Sequence, residues 1–330
     1  MKRPDAVADE VRSLFAAGRA FEESGDQDAA EVPYQRILGL AGDAAGARAD
    51  AWRADALHAL GKLARLRGGY GEAASLLRRG IRHAEQAYGP DAAETAYLLN
   101  ELAVTFKYAG RFEEASRLYL DALAIIERTG GSDPNDVAGL CHNLGGLEHA
   151  RGNYAEAAGH ARRSVELRIR ALGDGHVDVA ADRAALAAIL DALGEDAEAE
   201  ALLTDALDVF TRALGPDHLE VAITQGNLAA LLHRRGETAR AERLYRRSLV
   251  LRERTQGPGH PDLATVLHNL ARLCEDRGDA VAAEPLYRRA IGILGPEVAA
   301  DHPVLRSCRD GLAALSLEPP RADGRDAGTG

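Results

Sequence analysis

Four histidines, His176, His218, His260 and His302, recur at intervals of 42 residues, and imidazole is the side chain best suited to ligating zinc or moving protons near neutral pH. Their spacing argues against both uses. Zinc ligands converge to about 2 Å from one ion, whereas groups carried once per packed helical repeat lie about 10 Å apart. These histidines read as loop and helix-cap residues. His142 and His149 are two helical turns apart, too far for an i, i+4 ligand pair, although either can serve as a proton-sensitive contact in a wet groove. Cys141, Cys274 and Cys308 are odd in number and far apart. They fit neither a zinc site nor a secreted disulfide framework, and free, buried thiols are expected. The sequence has no G-x-S-x-G and no H-E-x-x-H, and Gly61-Lys62 runs into Leu63 where a phosphate-binding loop needs Ser or Thr. The expectation is a protein that is not an enzyme and uses no metal and no cofactor. An enzymatic reading would need His142 to converge with Glu148 or Glu101 outside any motif.

The amides make a more specific offer. An Asn side chain carries two donor hydrogens and an acceptor oxygen, so it can pair with both groups of an extended backbone. The chain has six Asn, and the significance of four of them depends on the elements that carry them.

Those elements repeat. Gly25, Gly68, Gly110, Gly152, Gly194, Gly236 and Gly278 are separated by 43 residues once and then by 42 five times. Five residues after each stands Ala30, Ala73, Ala115, Ala157, Ala199, Ala241 or Ala283, and eight before each stands Ala17, Leu60, Leu102, Leu144, Leu186, Leu228 or Leu270. Thirteen after lies Leu38, Ile81, Leu123, Val165, Leu207, Leu249 or Ile291, and all these are expected to be helix-to-helix contacts. On either side of each glycine apolar residues recur at three and four, as in Leu186, Ile189, Leu190 and Leu193, which predicts amphipathic helices. Glycine provides the turn, so each copy is an antiparallel hairpin of an inner and an outer helix. A second glycine, such as Gly89, Gly131, Gly173, Gly215 or Gly257, ends each outer helix. A carboxylate (Asp178, Glu220, Asp262) then suits the positive end of the next inner helix, and Pro261 is placed for a first helical position.

A single hairpin cannot cover its own apolar face, and stacked hairpins bury a continuous core. The expected fold is therefore an all-α, right-handed superhelical solenoid over 10–316, with hairpins over 10–40, 51–88, 92–128, 135–171, 177–213, 219–255 and 261–294. A capping helix is expected over 301–316, an N-terminal extension over 1–9 and a disordered tail over 317–330. The first hairpin diverges, with Pro33 inside its outer helix.

Composition narrows the partners. With 51 acidic against 40 basic residues the net charge is −11, which lacks the basic footprint of nucleic-acid binding. The Ala184–Leu190 run is among the longest apolar stretches, far short of the roughly 18 residues of a membrane span. Charged residues follow Met1 directly, with no apolar stretch of a secretory signal. A cytoplasmic protein is expected, and the scarcity of lysine, only Lys2, Lys62 and Lys107, suggests a GC-rich, bacterial coding sequence.

The marker glycine, Ala five later, an aromatic nine later (Tyr34, Tyr119, Tyr245, Tyr287), a small residue twelve later (Ala122, Ser164, Ala206, Ser248, Ala290) and Leu eight before resemble the tetratricopeptide repeat. The 42-residue period, with phrases such as Gly257-Pro258-Gly259-His260-Pro261-Asp262 and His268-Asn269-Leu270-Ala271, is similar to the kinesin-light-chain type. Asp196, Thr238 and Ala280 depart from the aromatic found at Tyr70, Phe112 and Tyr154. The resemblance implies a concave groove lined by inner helices that holds a partner's peptide, with groove asparagines on its main chain.

Residues ten, nine, six and three before each marker lie on the inner-helix side away from the packing contacts. This selects His58, Lys62 and Arg65; Asn100, Glu101 and Lys107; His142, Asn143 and His149; Asn227 and His233; and His268, Asn269, Arg272 and Glu275. The candidate partner-binding residues are Asn100, Asn143, Asn227, Asn269, His58, Lys62, Lys107, His142, His268 and Arg272. The asparagines have two readings: contact with a ligand backbone, or hydrogen bonds to the neighbouring repeat that fix the array. A weakly basic stretch around Lys62 to Lys107 would favour an acidic peptide, against the default of solvated charge. Before Gly194 the same face shows Ala181, Ala184, Ala185 and Ala188, which can admit a bulky side chain or mark tight winding. Arg78-Arg79, Arg162-Arg163, Arg246-Arg247 and Arg288-Arg289 fall on outer helices, where nearby Glu are the expected partners. The function expected is a protein or peptide-binding adaptor or regulatory scaffold. The alternative is a self-assembling subunit that forms a homo-oligomer through its end repeats.

Overall fold

The computed structural model describes residues 4–42, 45–129, 133–295 and 302–317. Among them the chain is helical and without strands. Seven hairpins follow one another: α1 (Pro4–Glu23) with α2 (Gln27–Ala41), α3 (Ala47–Leu66) with α4 (Tyr70–Ala87), α5 (Ala93–Tyr108) with α6 (Phe112–Arg128), α7 (Pro134–Ala150) with α8 (Tyr154–Leu172), α9 (Val177–Leu193) with α10 (Asp196–Leu214), α11 (Leu219–Arg234) with α12 (Thr238–Gln256), and α13 (Leu263–Asp276) with α14 (Ala280–Leu294). The helix α15 (Pro303–Leu317) closes the series. The chain forms two compact units, one through Asp174 containing α1–α8 and one from Gly175 containing α9–α15. Gly131, Asp301 and the tail from 318 onward, for which the sequence suggests a helix end, a cap start and disorder, lie outside the described residues.

Both units follow the same packing rule. All seven marker glycines have φ between 72° and 81°, in the left-handed region where a Cβ is penalised. That conformation sends the chain back along its own path, and the alanine five residues later sits at the closest approach. Ala30, Ala73, Ala115, Ala157, Ala199, Ala241 and Ala283 are each 0% exposed. The leucines eight before the marker are buried in hairpins two to seven, whereas most residues thirteen after it are only half-buried. A small residue twelve after the marker admits the next contact. Ser164 and Ser248 donate there to the carbonyls of Ala138 and Ala222 at 2.8 and 2.6 Å. At Gly80, the same place in the second hairpin, a Cβ would lie 2.5 Å from Leu98 Cδ2.

The tyrosines nine after the marker anchor the cores. Tyr34 packs with Val11, Ile37 and Leu60, and Tyr119 with Phe106, Ile126 and Leu144. In the second unit Phe210 packs with Val209 and Val221, and Tyr287 with Leu267, Leu305 and Cys308, which docks α15. Cys141, Cys274 and Cys308 are buried and free.

Two boundaries depart from the sequence expectation. The extension over 1–9 is helix from Pro4 onward, because Val7 and Val11 continue the apolar stripe of α1 onto the Tyr34 core and proline is tolerated in a first turn. Pro261 is not a first helical residue. The Leu263 amide bonds to the His260 carbonyl and that of Ala264 to Pro261, a tight turn that delays α13 until after Asp262. The periodic histidines act at helix starts: Nδ1 of His176, His218 and His260 accepts from the amides of Asp178, Glu220 and Asp262 at 3.2, 3.2 and 3.3 Å, satisfying amides that a helix start leaves unpaired.

Candidate partner-binding faces of the two units

In the first unit, α1, α3, α5 and α7 are the inner helices. His58 and Lys62 meet in a pocket of about 670 Å³ lined also by Arg12, Phe15, Arg19, Glu22, Tyr34, Asp55 and Ala59. Lys62 Nζ donates to Glu22 Oε2 at 2.9 Å, and Glu22 accepts from the Tyr34 hydroxyl at 2.5 Å. Glu22 is held below the ordinary carboxylate range by the hydrogen bonds from Tyr34 and Lys62, which outweigh its burial. Burial holds His58 below the ordinary imidazole value. One turn on, Arg65 Nε donates to Glu101 Oε1 at 2.6 Å, and the Arg65 guanidinium lies 5.6 Å from the ring centre of Tyr108, itself stacked on Tyr70.

Asn143 Nδ2 donates to Asn100 Oδ1 at 2.9 Å, tying α7 to α5. Both line a pocket of about 220 Å³ with Asn135, Tyr97, Asp136 and Arg168. Lys107 is half-buried, and its ammonium lies above Gly146, where a Cβ would stand 2.7 Å from Nζ. Burial lowers the pKa of Lys107. His142 is half-buried on α7.

In the second unit the inner helices are α9, α11 and α13. His268, Asn269 and Arg272 meet in a pocket of about 440 Å³ with Ala230, His233, Arg234, Tyr245 and Asp276. Burial, and then the charge of Arg272, lower the pKa of His268, whose Nδ1 is 3.5 Å from Cys308 Sγ. The Cys308 thiol is pushed up by burial to about 11, which makes it a packing group rather than a nucleophile. His233 contacts Asp276 at 2.8 Å, and the Tyr287 hydroxyl donates to Glu275 at 2.5 Å. Asn227 is exposed on α11. On α9, Ala184 packs onto the Phe210 core while Ala181 and Ala188 are exposed. The same row continues to Asp191, which accepts from Arg234 Nη1 at 2.8 Å.

The fold therefore pairs Asn100 with Asn143, His58 with Lys62, and His268 with Asn269 and Arg272. Lys107 and His142 occupy separate places on the first unit's inner helices, as Asn227 does on the second's. Arg12, Phe15, Arg19, Glu22 and Tyr34 escape the sequence selection. Three of them, Phe15, Arg19 and Glu22, stand ten, six and three before Gly25, so the same rule applied to the divergent first hairpin would have found them. Five of the outer-helix arginines have these internal partners: Arg246 with Glu242 at 2.8 Å, Arg288 with Glu284 at 2.7 Å, Arg289 with Glu253, Arg163 with Glu127, and Arg78 over the Phe106 ring. Among the described residues no group of three or more His, Cys, Asp and Glu is placed to hold a metal, and no helix is long and apolar enough to cross a membrane.

The tetratricopeptide repeat model matches residues 51–128, 136–212, 192–253 and 221–294. The chain belongs to the tetratricopeptide repeat family. Its repeats are similar to those in the crystal structure of BtubC (BKLC) from P. vanneervenii, 24% identical over 69% of this chain and 89% of that one, with a TM-score of 0.58. They are also similar to the nearly identical repeats of a putative kinesin light chain from Podosopora anserina, 23% identical over 62% and 97%, TM-score 0.53. NprR in complex with its cognate peptide NprX has the same kind of tetratricopeptide fold, 13% identical over 96% of this chain and 84% of that one, TM-score 0.61. No curated protein matches the chain.

Proposed function

We propose that this tetratricopeptide repeat protein is a non-enzymatic cytoplasmic adaptor or regulatory scaffold that holds a peptide or helix of a protein partner against its inner helices. The observation that carries this reading is where the pockets fall. Side chains of consecutive inner helices supply most of the lining at the 670 Å³ pocket of α1 and α3 and at the 440 Å³ pocket of α11 and α13. The outer-helix Arg246, Arg288 and Arg289, by contrast, are paired with carboxylates within the chain. Pockets of that size, mixing apolar walls with a few polar groups, suit side chains of a ligand. The similar fold of NprR, solved with a peptide, supports the same use.

The test is a pull-down from the source organism's lysate with wild type and an Asn143→Ala, Asn227→Ala, Asn269→Ala triple variant, read by mass spectrometry. Proteins captured by the wild type and lost by a folded variant support the adaptor. Equal recovery of this chain alone by both refutes it in favour of self-assembly.

A further inference from the structure

Most of the charge lining the pocket between α1 and α3 is settled within the chain. Lys62 pairs with Glu22, which also takes the Tyr34 hydroxyl, and Arg12 pairs with Asp9. One charge of each sign is left over: among the described residues Arg19 and Asp55, both in the lining, make neither a hydrogen bond nor an ion pair. The register of the helices keeps them apart. Lys62 stands beside Glu22, so Asp55, seven residues earlier on α3, falls level with Phe15, seven earlier on α1. Arg19 lies four residues further along α1, about 6 Å at the helical rise, and across the cleft. Between the two charges the walls are apolar or neutral. Phe15 and Tyr34 have ring centres 6.1 Å apart, and Ala59 lines the α3 side with His58, whose pKa burial lowers.

We propose that this pocket binds a free α-amino acid with an aromatic side chain: Arg19 takes its carboxylate, Asp55 its ammonium, and Phe15, Tyr34 and Ala59 its side chain. Two charge-assisted contacts of about 2.8 Å each, with the two charged groups of one carbon between them, bridge a gap of that order. A zwitterion answers both charges at once, whereas a simple acid meets repulsion from Asp55 and a simple amine meets repulsion from Arg19. The cavity walls and the charge of Glu94 push the Asp55 carboxyl up to about 6, and an ammonium seated beside it reverses that shift. The volume of about 670 Å³ lies within the range of small-molecule sites. The ligand is a small molecule and not a segment of protein, so the inference goes beyond the adaptor reading and does not depend on it.

Isothermal titration calorimetry of the full chain tests each contact, with L-phenylalanine, N-acetyl-L-phenylalanine, L-phenylalaninamide and glycine as probes. Phenylalanine should bind at least tenfold more tightly than any of the other three. Arg19→Gln and Asp55→Asn change exposed side chains and should each weaken phenylalanine at least tenfold with helical circular dichroism unchanged. In Asp55→Asn the acetylated ligand should bind as well as phenylalanine, because the ammonium has lost its partner, and in Arg19→Gln the amide should do so. Affinity of the wild type should fall as pH drops through about 6, where Asp55 takes up its proton. No heat from phenylalanine overturns the inference. So does equal binding of phenylalanine and N-acetyl-L-phenylalaninamide, which would give the pocket to a side chain of a bound protein instead. The asparagine triple variant leaves Arg19 and Asp55 intact, so the pull-down and this titration succeed or fail separately.

Discussion

Arg65 Nε donates to Glu101 Oε1 at 2.6 Å, joining the end of one inner helix to the middle of the next, and the two side chains are only 14% and 13% exposed. This pair locks neighbouring hairpins more firmly than the exposed pairs along the turn edge, Arg67 with Glu31, Arg151 with Glu113, Arg235 with Glu200 and Arg277 with Glu242, each worth under about 1 kcal/mol. Glu101→Ala strands a largely buried guanidinium and should destabilise the first unit by about 2 to 3 kcal/mol. Glu31→Ala should cost less than about 1 kcal/mol. Urea unfolding of the two variants, followed by helical circular dichroism, compares them directly, and equal costs would refute the distinction.

Overpacking tests the closest approach of paired helices. Ala199→Leu and Ala241→Leu place three extra carbons where exposure is 0%, and each should cost about 1 to 3 kcal/mol. Ala201→Leu, on the exposed side of α10, should change stability by less than about 0.5 kcal/mol. Unchanged denaturation midpoints for the buried pair would rule out the register of the hairpins.

Gly110→Ala should cost about 1 to 2 kcal/mol, because φ there is 74° and an L side chain is strained in that region. Nothing within 4 Å would touch the added methyl, so the penalty comes from the backbone alone. Gly71→Ala, where the space is equally open and φ is ordinary, is the control, and it should be neutral or stabilising in the same thermal melt.

The asparagines should separate by function. Asn143→Ala removes the hydrogen bond to Asn100 and should lower stability by about 1 kcal/mol. Asn227→Ala alters an exposed side chain and should leave Tm within error while weakening partner capture. A Tm drop for Asn227→Ala comparable to that of Asn143→Ala would argue for a purely structural amide row.

Two half-buried imidazoles give stability an acid-side slope. His58 and His268 have pKa values lowered from 6.5 by burial, so the unfolded chain takes up protons before the folded one does. Stability contributed by the neutral rings is full above pH 6.5 and falls as pH drops from there toward their folded values. His58→Gln with His268→Gln should flatten the fall of Tm below about pH 6.5. A slope equal to that of wild type would show that other groups set it.

The parts of this fold readable in the sequence are those fixed by local geometry. The turn glycines and the Ala five residues on, with a tyrosine nine residues on in four of the seven copies, are set by the fit of one helix against its own hairpin partner, so they recur in register and identify themselves. The electrostatics of the inner faces were not readable in this way. Lys62 finds Glu22 40 residues earlier, and Arg65 finds Glu101 36 residues later, so whether a cation is neutralised depends on which rotamers reach across a hairpin boundary. Asn143 shows the same limit: its position marked an inner-face amide, but its bond to Asn100 belongs to the packing of α5 against α7. The delayed start of α13 had no local signal either, since Pro261 fits the head of a helix as well as it fits the turn that precedes one.

The seven fully buried alanines leave the chain free to be rewritten elsewhere. With hairpin thickness set by a methyl group in every copy, the side chains at positions such as Asn227, Ala230 and His233 can be randomised without disturbing the spacing beneath them. Selection from a library built on those places would ask only for a new ligand, and the scaffold would not have to be found again.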